Sequence, residues 1–329
     1  MRVIRKHWRW IVAGICAFLL VMPCALVLWA GSEIAHPSRK TLQDYHHEYL
    51  TQQPRHGIRI DSFTASDGTP CLVVEPAGNP GERGMKIRQQ LAERGHMLPQ
   101  FGRIKGTLVL AHGRKGRKED YLSIAERFCA AGLRCVIPDL PAHGDHPGKI
   151  ATYGVREAAL PALVLGEAAR KYRFNSAPAG LMGMSMGGSV AVHAAALPDA
   201  PWKALVVIAS FDSFPSVIEG QASRHAGPGI GSLWADAAGG IYQQKSGIAL
   251  AGIQPHLRAA SIHSPTLVAH GSADRVVPSS AGRRLFAALP ANTTRKFVEI
   301  PDAGHDNVLV TDYPIYAEIA EWMLLHVRG

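Results

Sequence analysis

The sequence predicts an α/β architecture: a mostly parallel sheet of eight strands with helices on both faces, an insertion after the sixth strand, and a transmembrane helix at the N-terminus. Three observations predict it. From Gly57 onward, short β-rich runs alternate with helical stretches, the pattern of a covered parallel sheet. The inner strands are continuous apolar runs, as burial on both faces requires. Residues 11–30 carry no charge, which is enough helix to cross a bilayer core. A chain of 329 residues with 47% hydrophobic and 19% charged content holds material for one large domain of this kind.

The N-terminus opens with Arg2, Arg5, Lys6 and Arg9 ahead of the uncharged stretch. That stretch outruns the apolar region of a cleavable signal, about 7 to 15 residues, and in Leu28-Trp29-Ala30 a bulky Leu28 stands where a small residue is wanted. The reading is an uncleaved signal anchor over 11–30, with a secreted, cleaved form as the alternative. Pro23 before Cys24 speaks against lipid attachment. The positive-inside rule keeps the basic segment 1–10 in the cytoplasm. It sends a stalk over 31–53 and a domain over 54–329 across the membrane, into the periplasm of a Gram-negative cell.

The net charge of +9 is concentrated at that end. Residues 1–40 hold six of the 35 basic and one of the 26 acidic residues, leaving +4 on the rest, a weak basis for a nucleic-acid partner. Cys71, Cys129 and Cys135 make no disulfide framework, and the last two are expected to be buried separately. The histidines form no H-E-x-x-H pair and the cysteines no C-x-x-C, so neither a metal nor a cofactor is expected. His46-His47 reads as a solvated pair.

The sheet is expected to open with a hairpin, 58–63 and 71–75, about the turn signal Asp67-Gly68. Residues 78–103, with Asn79-Pro80-Gly81, read as a surface insertion holding one charged helix. Then follow strand 107–111, helix 119–131, strand 134–139, helix 152–172, strand 179–184, helix 186–197 and strand 204–209. The run 211–264, rich in Gly, Ala and Ser and weakly periodic, reads as a mobile lid. Its Phe214, Val217, Ile218, Ile230, Leu233 and Trp234 either line an acyl pocket or pack the lid on the core. Strand 266–270, helix 279–289, strand 296–300 and helix 313–327 complete the chain.

The chemistry centres on Gly183-Met184-Ser185-Met186-Gly187, a G-x-S-x-G pattern between an apolar strand and an Ala-rich helix. The glycines have a physical task, since side chains there would obstruct the sharp turn that lifts Ser185 above the sheet. A serine hydroxyl needs a neighbouring base and the base an orienting acid. Asp274 and His305 follow in the chain, each in a loop after a strand.

On these motifs the chain from 57 to 329 resembles the α/β-hydrolase superfamily. His112-Gly113-Arg114 is similar to the family's H-G-x loop, and Pro138-Asp139-Leu140-Pro141-Ala142-His143-Gly144 to its D-x-x-G-H-G loop, with Ala142 in place of glycine. His270-Gly271-Ser272-Ala273-Asp274-Arg275-Val276-Val277-Pro278 is similar to its H-G-x-x-D-x-x-V-P segment, and Gly304-His305 to its final G-H. The resemblance implies Ser185 as nucleophile, His305 as base and Asp274 as acid. It implies an oxyanion hole from the backbone N–H groups of Met186 and Arg114. Asp212, after the sixth strand, is the rival acid; His112, Asp139 and His143 are expected to organise loops.

Ile253 to Pro278 looks most like the serine aminopeptidase and monoacylglycerol-lipase branch. The implied activity is hydrolysis of a small-molecule carboxylic ester or acyl substrate through an acyl-enzyme. An aminopeptidase or thioesterase of the same fold is an alternative, with Asp212, Glu219 and Asp236 as the acids on offer for a free amine. A non-catalytic, membrane-tethered binding protein is the reading from another class.

Overall fold

The computed structural model describes residues 2–327; within the first helix the side chains of residues 2–7, 9–13, 16, 17, 19 and 20 lie outside the description. Eight strands form one sheet: β1 (Ile58–Thr64), β2 (Pro70–Pro76), β3 (Gly106–Ala111), β4 (Leu133–Pro138), β5 (Ala179–Met184), β6 (Trp202–Ile208), β7 (Thr266–Gly271) and β8 (Arg295–Ile300). Their spatial order is β1-β2-β4-β3-β5-β6-β7-β8. The sheet is mixed. β2 is antiparallel to both β1 and β4, while every pair from β4 to β8 is parallel. The C-terminal ends of β3, β5, β7 and β8 therefore share one edge, where ligands bind in open α/β sheets.

Eleven α-helices are described: α1 (Arg2–Ala35), α2 (Asp44–Thr51), α3 (Glu82–Glu93), α4 (Leu122–Ala130), α5 (Leu160–Tyr172), α6 (Met186–Ala195), α7 (Phe214–Ala226), α8 (Pro228–Ser246), α9 (Pro255–Ala259), α10 (Ser279–Ala287) and α11 (Ile315–His326). Strand side chains alternate between two cores. Val109, Leu181, Val207 and Val268 face α5, α6 and α10; Leu108, Leu110, Met182, Val206 and Leu267 face α3, α4 and α11. Both faces are covered, which is why these strands read as unbroken apolar runs.

Several segments depart from expectation, each for a physical reason. Residues 78–103 are no surface insertion: Ile87 and Leu91, one helical turn apart on α3, are fully buried beside α4 and α11. Each such side chain contributes about 1.5–3 kcal/mol. The 152–172 helix starts only at Leu160, because the Glu157 carboxylate gathers the N–H groups of Thr152 and Gly154 and the Thr152 hydroxyl into a loop. The expected mobile lid is a packed helical hairpin, α7 and α8. Apart from Phe214 and Tyr242, its buried face is built of small residues, Ala222, Gly231, Ala235, Ala238, Gly239 and Ser246, which give little hydrophobic periodicity but allow close approach. A Cβ on Gly231 would lie 2.3 Å from the Ser223 Cα.

The segment 31–53, read as a stalk, is docked. A Cβ on Gly31 would meet Ile241 of α8 at 2.5 Å, Ile34 and Ala35 are buried, and Tyr49 donates from its hydroxyl to Glu126 at 2.5 Å. His46 is not solvated: it is fully buried, with Nδ1 accepting from the Gln43 N–H and Nε2 2.8 Å from Asp120. Cys71, Cys129 and Cys135 are buried and free. Among the described residues no helix is long and apolar enough to cross a membrane. The expected span at 11–30 is therefore not found there, and seven of its side chains lie outside the description.

Candidate functional site

Ser185 sits between β5 and α6 at φ +54°, ψ −117°, a conformation that L-residues rarely adopt. Its surroundings hold it there. The Ser185 N–H donates to Ile208 O at 2.8 Å, and its carbonyl accepts from the Ser210 hydroxyl at 2.9 Å. The flanking glycines are obligatory in space. A Cβ on Gly183 would stand 2.0 Å from Gly187 O, and one on Gly187 would stand 2.1 Å from Ala111 O. The motif is thus the imprint of β3, β5 and α6 converging on one turn.

The structure brings Asp274 and His305 to this serine from 89 and 120 positions along the chain. His305 Nε2 lies 2.9 Å from Ser185 Oγ, and His305 Nδ1 lies 2.7 Å from Asp274 Oδ2. Asp274 is anchored through its other oxygen, which accepts from the N–H groups of Val276 and Val277 at 2.8 Å each. Burial opposes its charge, but hydrogen bonds from His270 and His305, the imidazole's own charge and the Val277 N–H prevail and hold its carboxyl well below the usual carboxylate range. An ionised Asp274 accepts only, so the His305 proton belongs on Nδ1 and Nε2 is left to accept from the serine hydroxyl. Gly271 lets the His305 loop approach: a Cβ there would be 2.2 Å from Ala303 O.

Met186 is the first residue of α6, so its N–H has no intrahelical acceptor and lies at the positive end of the helix dipole. Arg114 belongs to the loop after β3, whose Gly113 would place a Cβ 3.6 Å from Ser185 Cβ. Ser185, His305, Met186 and Arg114 border one cavity of about 260 Å³. Its other walls are largely apolar, with Tyr153, Phe211, Phe214, Val217 and Val276, and carry one carboxylate, Asp306, next to His305. Of the six lid side chains expected from the sequence, Phe214 and Val217 face this cavity, Ile218 packs on the core, Trp234 is half-buried away from the cavity lining, and Ile230 and Leu233 face outward.

The remaining candidates are placed elsewhere. Asp212 is engaged with Arg284, its Oδ2 2.5 Å from Nε, and so fastens the base of the lid to α10. His112 Nε2 accepts from the Leu140 N–H at 3.0 Å, and Asp139 accepts from Lys118 and from the Asp145 N–H; both organise loops. Burial and the neighbouring His112 push His143 down to about 3, so it stays neutral near pH 7. Among the described residues no group of three or more His, Cys, Asp or Glu side chains could hold a metal. Tyr153 and Phe211 were not anticipated. Tyr153 was read as helical, and only the positive φ of Tyr153 (+54°) and of the adjoining Gly154 (+108°) turns its ring into the cavity.

The family model of the alpha/beta hydrolase family matches residues 108–318, a span that contains Ser185, Asp274 and His305. An uncharacterized protein of Mycobacterium tuberculosis is 26% identical over 260 residues, covering 77% of this chain and 82% of that protein. Among solved structures, an esterase of Pyrococcus furiosus superposes with a TM-score of 0.62 at 15% identity, over 89% of this chain and 98% of its own. A membrane phospholipase A, described as a bacterial virulence factor, superposes with a TM-score of 0.51 at 17% identity, over 99% of each chain. These two likenesses are of fold.

Proposed function

The chain belongs to the alpha/beta hydrolase family, and we propose that it is a serine hydrolase that cleaves carboxylic esters through an acyl-enzyme. The observation that carries the reading is the unbroken chain Ser185 Oγ, His305 and Asp274, at 2.9 and 2.7 Å, opening on an apolar cavity. As the Ser185 oxygen attacks the ester carbonyl, His305 Nε2 takes its proton, and Asp274 stabilises the imidazolium. The N–H groups of Met186 and Arg114 hold the oxyanion. His305 then protonates the leaving alcohol, and a water activated by the same nitrogen releases the acid and restores the serine.

Ester rather than peptide cleavage is supported by the acids considered for a free amine. Asp212 is tied to Arg284, and Glu219 and Asp236 lie outside the cavity lining, which leaves Asp306, adjoining the base His305, as the acid that borders it. The cavity is smaller than the about 300–1,000 Å³ typical of ligand pockets, which favours a short acyl chain. The protein is expected to turn over p-nitrophenyl butyrate faster than the palmitate and to take a fluorophosphonate label on Ser185. Absence of both turnover and label would leave a binding protein as the reading.

The proposal includes an address. A single-pass anchor over 11–30, N-terminus in the cytoplasm and domain outside it, is supported by the basic residues that precede this uncharged stretch and by the apolar side chains it exposes. Ile15, Phe18, Val21, Leu28 and Trp29 are each more than half exposed. The full-length protein should stay with membranes through a high-salt wash and retain its N-terminus. A shortened, soluble product would replace the anchor with a cleaved signal.

A further inference from the structure

The last turn of a helix leaves carbonyls without intrahelical partners. On α1 the domain takes three of them. Arg114 Nη2 donates to Glu33 O at 2.9 Å, the Tyr153 hydroxyl to Ile34 O at 2.8 Å, and the Ala151 N–H to Ala35 O at 2.9 Å. Two of these donors, Arg114 and Tyr153, border the cavity at Ser185. The end of α1 is therefore bonded to the wall of the site.

The Glu33 side chain adds a second tie. Its Oε1 lies 3.1 Å from Arg114 Nη2 and 3.0 Å from Lys115 Nζ, so two consecutive residues of the loop after β3 converge on one carboxylate. Burial opposes the Glu33 charge, yet Lys115, the Ser38 N–H and Arg114 hold its carboxyl below the ordinary range. The loop needs such a tie. Lys115 stands at φ +61°, in the left-handed region that a lysine disfavours, and the turn is closed by the Gly116 N–H on Gly113 O at 3.0 Å, with His112 Nδ1 2.9 Å from the same oxygen.

We propose that Glu33 is a positioning residue for the oxyanion hole: by holding Arg114 and Lys115 on one carboxylate, it fixes the peptide whose N–H meets the oxyanion. The inference rests on the ester-hydrolase reading above. An oxyanion donor acts only within a narrow range of distance and direction, and a small displacement there costs rate rather than binding. Lys115 is about half exposed and Arg114 about a third, and pairs this open to solvent add little to stability. A tie of this kind shows in kcat more than in Tm, and it makes the N-terminal helix part of the catalytic apparatus.

The test uses the full-length protein with p-nitrophenyl butyrate, active sites being counted by fluorophosphonate labelling. Glu33→Gln is expected to lower kcat about tenfold with KM within about twofold, and to weaken a trifluoromethyl ketone, which forms a tetrahedral adduct, by a similar factor. Glu33→Asp should recover part of the loss. Lys115→Met should lower kcat about threefold, and the double variant should be no slower than Glu33→Gln alone. Should Glu33→Gln not fold, Lys115→Met carries the same test from the other side of the contact. An unchanged kcat per labelled site, or a loss lying wholly in KM or in the labelled fraction, overturns the inference while leaving the hydrolase reading intact. A wild type without turnover or label overturns both.

Discussion

Replacing Ser185 by alanine is expected to abolish ester turnover, lowering kcat by about 10⁵–10⁶ and removing the fluorophosphonate label, while the protein melts as the wild type does. The contrast follows from which atoms hold the turn. The bonds fixing residue 185 are made by its backbone, the N–H to Ile208 O and the carbonyl from Ser210, and neither involves Oγ. An alanine adopts the same φ of +54° at about the same cost, so stability should change by no more than about 0.5 kcal/mol. Oγ contributes only its hydrogen bond to His305 and its nucleophilicity. Turnover of p-nitrophenyl butyrate by folded Ser185→Ala would move the chemistry to another group.

The parts of the molecule legible in the sequence were those in which one residue type answers to one constraint. Gly183 and Gly187 cannot carry a side chain because backbone lies about 2 Å from where a Cβ would stand, so the turn is written directly in the motif. Asp274 was legible from a loop opened by Gly271, where backbone likewise stands about 2 Å from a Cβ position, and His305 from the Gly304-His305 pair in the loop after the last strand. Strands such as β3 and β4 were legible because both of their faces are covered.

The illegible parts are those whose order comes from partners distant in sequence. The lid hairpin has small residues at its contacts, so its periodicity vanishes although its packing is close. α3 shows only Ile87 and Leu91 to the core, and its charges hide the pattern. The buried state of His46 depends on Asp120, 74 residues away. Glu33 was the least visible: a single acid just past an apolar stretch acquires meaning only when Arg114 and Lys115 arrive beside it.

Exchanging Asp274 for asparagine is expected to lower kcat by about 10⁴. An asparagine oxygen can still accept from Val276 and Val277, which turns its amide nitrogen toward His305 Nδ1. A donor facing Nδ1 forces the proton onto Nε2, the atom that must accept from Ser185, so the base is placed correctly in the wrong tautomer. Asp212→Asn is the control. It loses an ion pair to an Arg284 side chain more than half exposed, and kcat should stay within about twofold. If the two effects were interchanged, Asp212 would be the acid. The pH dependence separates them further. Because the folded-state value of Asp274 is depressed, the unfolded chain binds the proton first on acidification. Asp274 therefore contributes stability above the ordinary carboxylate value that is lost as pH falls below about 4. Asp274→Asn, with no carboxylate to protonate, should lose stability less steeply in that range. Between about pH 5 and 8 Asp274 stays ionised, so any change of rate with pH there must arise from another group.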